Sequence, residues 1–146
     1  MTTVVVDASV LVAAVLSADP HCAAASRFLE HCLASDVALA VPTLARAEVA
    51  CALSRRSGDP TTTLDLVTSL FVDRGLTEQA VDAPLAAVAA RAGSMLGLRG
   101  ADACYLALAV LLDAPLITLD RELIARAGGI TPAAWLRLHS GERAGD

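Results

Sequence analysis

Four acidic residues are spaced so that a short chain can gather them: Asp7, Glu48, Asp102 and Asp120. Each stands beside or inside an apolar stretch: VVVDAS, LARAEVACAL, LRGADACYLALAVLLDAP and PLITLD. A carboxylate beside a buried stretch costs free energy unless its charge is compensated. The chain has no lysine, so no ammonium can do this. A divalent cation is the natural partner, and hard oxygen donors select Mg²⁺ or Mn²⁺. Crowded carboxylates repel one another and hold their protons until such an ion arrives. The bound ion can activate a water and stabilise charge growing on phosphate oxygens, which is the chemistry of phosphodiester cleavage. Ser9 and Thr118 carry hydroxyls two residues from Asp7 and Asp120. They are candidates for orienting a metal-bound water or a carboxylate, with local capping as the competing role.

Each acid also has a plainer role when taken alone. Asp7 and Asp120 can cap the helices that follow them, and Asp102 suits a first helical turn, where the helix dipole favours negative charge. Glu48 can sit at a rim, although position 52, four residues on, is an alanine and offers no basic partner. Four such placements in one chain favour a shared site.

The elements that must position these residues alternate. Thr3–Val6 reads as a short buried strand ending at Asp7, followed by a helix over Ala8–Leu16 that breaks at Ser17–Pro20. A helix over His21–Leu33 precedes a strand, Val37–Val41. Pro42 suits a first helical turn, and helices over Thr43–Arg56 and Thr61–Asp73 form an αα-hairpin with its tip at SGDP. Leu76–Val81 reads as a short strand. Asp82 caps a helix ending about Gly93, and Gly97–Gly100 is a loop. A helix over Asp102–Leu112 leads to a strand, Leu116–Leu119, ending at Asp120. Arg121–Ala127 is a short helix, and Ile130–Trp135 supplies a last edge element. Strands alternating with helices predict an α/β fold, a mostly parallel central sheet covered on both faces. Ligands of such sheets bind beyond the C-terminal ends of the strands, where Asp7 and Asp120 sit. One domain is expected over residues 1–139, including the hairpin 43–73, with 140–146 as a flexible tail.

At 146 residues and 55% hydrophobic, with few aromatics, the chain must build an aliphatic core. The longest apolar run, Ala103–Leu112, is too short to span a bilayer, and no signal-peptide pattern opens the chain; a cytoplasmic location is expected. Cys22, Cys32, Cys51 and Cys104 show no metal-ligand spacing, so reduced, packing cysteines are expected. Net charge is −5. Setting four of the 16 acids aside as metal ligands leaves 12 against 11 arginines, a balance compatible with a phosphate substrate. It argues against a protein that coats long nucleic acid. Arg46, Arg55 and Arg56 are the one local basic concentration.

The four fragments, in this order, resemble the PIN-domain ribonucleases, and in particular the VapC-type toxins of bacterial toxin–antitoxin pairs. VVVDAS resembles the opening strand with its first acid and following serine, LARAEV the segment with the glutamate, LRGADACYLALA the third acid, and PLITLD the closing motif with Thr118 and Asp120. The resemblance runs from about Val4 to Ile130. It implies a three-layer α/β/α nuclease and an Mg²⁺- or Mn²⁺-dependent endoribonuclease activity. It further implies a homodimer, a cognate antitoxin received by the αα-hairpin region, and a structured RNA substrate such as tRNA, rRNA or mRNA. Basic surface is sparser than in many members.

Other readings of strand-end aspartates fit less well. A receiver domain needs a lysine. A haloacid-dehalogenase-like phosphatase needs a second aspartate where Ser9 stands, and a dinucleotide fold needs a glycine-rich turn where DASV stands. A DNA or flap-type nuclease and a non-catalytic PIN-like binding module remain the alternatives. The first leaves little room for insertions in this length, and the second has no need of all four acids.

Overall fold

The computed structural model describes residues 2–141. The expected tail lies outside the described residues from position 142 onward. In chain order the elements are β1 (Thr3–Val6), α1 (Ala8–Val15), α2 (Cys22–Ala34), β2 (Ala38–Pro42), α3 (Ala45–Ser57) and α4 (Pro60–Thr68), which runs into a π-helical turn, Ser69–Asp73. Then come β3 (Thr77–Gln79), α5 (Ala83–Leu96), α6 (Gly100–Leu112), β4 (Leu116–Ile117), α7 (Arg121–Ala127) and α8 (Pro132–His139).

The sheet has the order β3-β2-β1-β4, and every pairing is parallel. The chain steps from β1 to β2 to β3 in one direction, then returns past both to β4. Right-handed crossovers therefore put the helices of the first two connections on one face and α5 and α6 on the other, giving the three-layer α/β/α arrangement. Helix α6 lies against β1, β2 and β4 with α5 packed on it, while α2 packs against α1, α8 and β2. Val4, Val5 and Val6 are fully buried, as a central strand covered on both faces requires.

Punctuation fixes the helix starts. Asp59, Asp82 and Thr131 each accept a backbone N–H at the helix they precede, and each is followed by proline in the first turn. Thr131 also explains why the edge element expected over Ile130–Trp135 is mostly absent. Only Ile130 bridges to the sheet, beside Ile117, and from Pro132 the chain is helical. Trp135 is then buried edge-on against Phe28.

Other boundaries also differ from expectation. Pro42 ends β2 instead of opening a helix, because Thr43 still donates to Gln79 across the ladder. Leu119 lies beyond β4. Helix α5 continues through Gly93 to Leu96, which shortens the expected loop, and α6 starts at Gly100. At Gly93 a β-carbon would stand 2.7 Å from the Ala103 β-carbon, so this glycine is what lets α5 and α6 touch.

Candidate active site

The order of strand addition reverses at β1, with β2 on one side and β4 on the other, and a cleft at such a switch point is where α/β sheets take ligands. Asp7 follows β1, and Thr118 and Asp120 follow β4. Helices that follow a strand begin at that same edge, which places the first turns of α1, α3 and α7 there. Helix α6 leads down into β4 and so also starts there. Asp7, Glu48, Asp102 and Asp120 occupy the cap or first turn of these four helices. Their N-termini favour negative charge.

Asp7 is 5% exposed and stands at the N-cap of α1, yet its side chain makes no capping bond. Ser9 Oγ and Thr118 Oγ1 instead donate to its Oδ2 at 2.6 and 2.8 Å. Each hydroxyl accepts a backbone N–H in turn, Ser9 from Leu119 at 3.0 Å and Thr118 from Asp120 at 2.9 Å. The segment after β4 is thereby fastened to the carboxylate after β1. Burial pushes the Asp7 pKa up, the two hydroxyls pull it back, and the charge of Asp120 pushes it up again. Gly129 closes behind this pair: a β-carbon there would meet Thr118 Cγ2 at 2.5 Å.

Asp120 does cap its helix, with Oδ1 accepting from Glu122 and Leu123 at 2.8 and 3.0 Å. Its other oxygen carries neither bond. Glu48 is half-buried and accepts from the Tyr105 hydroxyl at 2.6 Å. Burial raises its pKa, the Tyr105 bond lowers it, and Asp7 raises it. Asp102, half-buried, is pushed up to about 6 by burial first and then by Asp120, Asp7 and Glu48, with Arg99 pulling the other way.

Asp102 therefore feels the other three acids, and the four share one electrostatic neighbourhood. Among the described residues no three His, Cys, Asp or Glu side chains form a ready-made metal cage, and no arginine pairs with any of the four. The donors present are carboxylate oxygens, the hard type that suits Mg²⁺ or Mn²⁺.

Tyr105 escaped the sequence reading. The available signal was its place as the chain's one tyrosine, three residues after Asp102 on the same helix. The basic concentration is also less than it looked. Arg46 is held bidentately by Glu78 at 2.6 and 2.8 Å over the Phe71 ring, and Arg56 pairs with Asp19 at 3.2 Å. All four cysteines are free thiols, and burial pushes Cys32 up to about 12. Among the described residues no single helix is long and apolar enough to cross a membrane.

The parallel sheet and its two helical layers define the class: a three-layer α/β/α protein with carboxylates at its switch point. The PIN domain family model matches residues 4–129, and the chain belongs to the PIN-domain family. Among solved structures it is similar to PAE2754 from Pyrobaculum aerophilum, at 25% identity and TM-score 0.71 over 97% of this chain and 91% of that one. It is also similar to VapC20 from Mycobacterium tuberculosis, a toxin that cleaves the sarcin-ricin loop, at 19% identity and TM-score 0.68 over 87% and 96%. VapBC2 from Rickettsia felis, bound to a DNA fragment from its promoter, matches at 18% identity and TM-score 0.68 over 89% and 97%. These last two likenesses are likenesses of fold. No curated protein matches the chain.

Proposed function

We propose that this chain is an Mg²⁺- or Mn²⁺-dependent endoribonuclease and the toxin of a toxin–antitoxin pair. The observation that carries the reading is the nearness of Asp102 to three other acids: burial first, and then Asp120, Asp7 and Glu48, push its carboxyl up to about 6. Asp7, Glu48, Asp102 and Asp120 would hold the ion. When bound, it supplies charge stabilisation for the phosphate and a water acidified toward hydroxide. Ser9 and Thr118 fix the rotation of Asp7 by bonding one oxygen, which leaves the other for ligation. Tyr105 does the same for Glu48, and the cap bonds do so for Asp120.

A single-stranded loop of a structured RNA (tRNA, rRNA or mRNA) is the substrate class, because loops are where proteins reach RNA bases. The sarcin-ricin activity of VapC20 supports RNA over DNA. Control falls to a cognate antitoxin and assembly to a homodimer. Val110, Leu111 and Leu112 at the end of α6 are exposed apolar side chains suited to such an interface. The α3–α4 hairpin would receive the antitoxin. Leu53 and Phe71 are buried in the core, and Leu64 alone of those three is exposed.

The test is purified protein incubated with total cellular RNA and Mg²⁺, with mapping of new ends. Discrete ends that vanish with EDTA and with Asp7→Asn support the reading. Cleavage of DNA alone overturns it. Growth arrest on expression, relieved by a co-purifying partner, tests the toxin role separately.

A further inference from the structure

An open cleft of about 610 Å³ runs from the acidic edge along α3. Ser9, Glu48 and Leu119 line the end at the acids, and Arg55, Arg56 and His21 line the far part. Glu48, Cys51, Ala52 and Arg55 follow one another at three- and four-residue spacing, so they form one stripe of α3 facing this cleft. Seven residues separate Glu48 from Arg55, about 10 Å along a helix axis.

The arginines of the cleft differ in what they are bound to. Arg56 is neutralised by Asp19, whose carboxyl is held below its usual range by the His21 backbone N–H first and by Arg56 next. Arg46, the third member of the basic concentration, is held by Glu78. Arg55 is exposed and, among the described residues, has no hydrogen-bond or ion-pair partner. Its guanidinium is the cleft's uncompensated positive charge, and the walls between it and Glu48 are small and largely uncharged.

We infer that Arg55 binds a phosphate of the RNA strand flanking the scissile bond, and that the α3 cleft guides a single strand into the acids. The inference rests on the proposed nuclease reading. A phosphate held at Arg55 lies beyond the scissile position, so Arg55 is a positioning residue that touches the strand without touching the reacting atoms. A guanidinium suits this task because its planar donor fork matches phosphate oxygens bidentately. At about 610 Å³ the open cleft falls within the roughly 300–1,000 Å³ of small-ligand pockets, which gives room for a short segment of one strand. Binding here also offsets the acidic edge: a strand that would be repelled by uncovered carboxylates gains an anchor outside their reach.

The test uses the full chain carrying Asp7→Asn, so that binding is read without cleavage, and a fluorescein-labelled single-stranded RNA oligonucleotide followed by anisotropy across a salt series. Arg55→Gln should weaken binding about tenfold, the worth of one charge-assisted contact. It should also flatten the plot of log affinity against log salt by about 0.7, the share of one phosphate contact on a single strand. Arg55→Lys should restore the slope and part of the affinity. In the otherwise unmodified enzyme, Arg55→Gln should raise KM with kcat unchanged. Unchanged affinity and slope overturn the inference even where cleavage is intact. Loss of binding to a co-purified antitoxin with RNA binding unchanged also overturns it, and assigns Arg55 to the protein partner. A chain that never cuts RNA but shows the Arg55-dependent slope retains the subsite and loses the nuclease reading.

Discussion

Tyr105 donates its phenolic hydrogen to Glu48 Oε1 at 2.6 Å, joining α6 to α3 across 57 positions of sequence. Tyr105 is fully buried and Glu48 half-buried, so the bond fixes an acid that would otherwise swing at the cleft mouth. It also crosses the top of the sheet, because α3 and α6 lie on opposite faces. Burial and Glu48 together push the Tyr105 hydroxyl far above its ordinary pKa, so it stays a donor at every physiological pH.

Tyr105→Phe removes that donor and leaves the ring in place. The expected cost is about 1–2 kcal/mol, the lower part of the range for a bond to a charged group because Glu48 is partly in water. The bond lowers the Glu48 pKa, so its loss raises that pKa further and weakens Mn²⁺ binding at mildly acid pH. Urea melts and calorimetric Mn²⁺ titrations check both effects. Unchanged values in both would remove Tyr105 from the site.

Asp102 makes the metal-free protein sensitive to pH in a defined direction. Its folded pKa of about 6 stands above its ordinary 3.8, so the folded state keeps a proton that the unfolded state has released. Its contribution favours folding fully below about pH 4 and is lost as pH rises toward about 6. Asp102→Asn removes this dependence and should raise the melting temperature of the metal-free protein at neutral pH. Saturating Mn²⁺ should reverse the order, since the amide is a poorer ligand. Thermal melts with and without Mn²⁺ across pH decide it, and an Asn variant that is less stable without metal contradicts the electrostatic account.

Thr118→Val keeps the shape and deletes a hydroxyl that accepts from Asp120 N and donates to Asp7. Since Thr118 is fully buried, about 1–3 kcal/mol of stability should be lost. The Asp7 pKa should climb, because a bond to its charged form is gone. NMR titration of the Asp7 carboxyl carbon reads this directly. Ser9→Ala should act in the same direction with a smaller stability cost, because Ser9 is only half-buried.

Gly129→Ala should damage the site without touching an acid. The added carbon would lie 2.5 Å from Thr118 Cγ2 and 3.2 Å from the Leu123 carbonyl oxygen. Thr118 must give way, and with it the bond to Asp7. A loss of about 1–3 kcal/mol fits overpacking against buried atoms. Weakened Mn²⁺ binding should accompany it, and pairing the change with Thr118→Ser should recover part of the stability. No recovery in the double variant would place the clash elsewhere.

Much of this was legible in the residues. The valine run before Asp7 and the apolar run before Asp120 specify buried strands by composition and length, and Gly58, Asp59 and Pro60 end one helix and start the next by local sterics and capping alone. The four acids stand out as candidates for the same reason: charge beside apolar sequence is a local observation. Trp135 misled, because an aromatic after Ile130 reads as strand until the Thr131 cap and Pro132 are weighed together. Arg46 misled differently, since its neighbours in sequence say nothing of Glu78, 32 positions away.

The sequence by itself determined which carboxylates exist, that Asp7 and Asp120 follow strands, and that Asp102 stands in a first helical turn. Spacing could not say that Glu48 and Asp102, on different helices, face Asp7 and Asp120. The tertiary structure decided that through strand order. Because β4 returns beside β1, four helix N-termini meet at one sheet edge, and the crossover rule puts α3 and α6 on opposite sides of it. The pairing of Tyr105 with Glu48, the fastening of Asp7 by Thr118 and the freedom of Arg55 all depend on contacts between segments far apart in sequence. Such contacts are set by packing of the whole core, which no local pattern encodes.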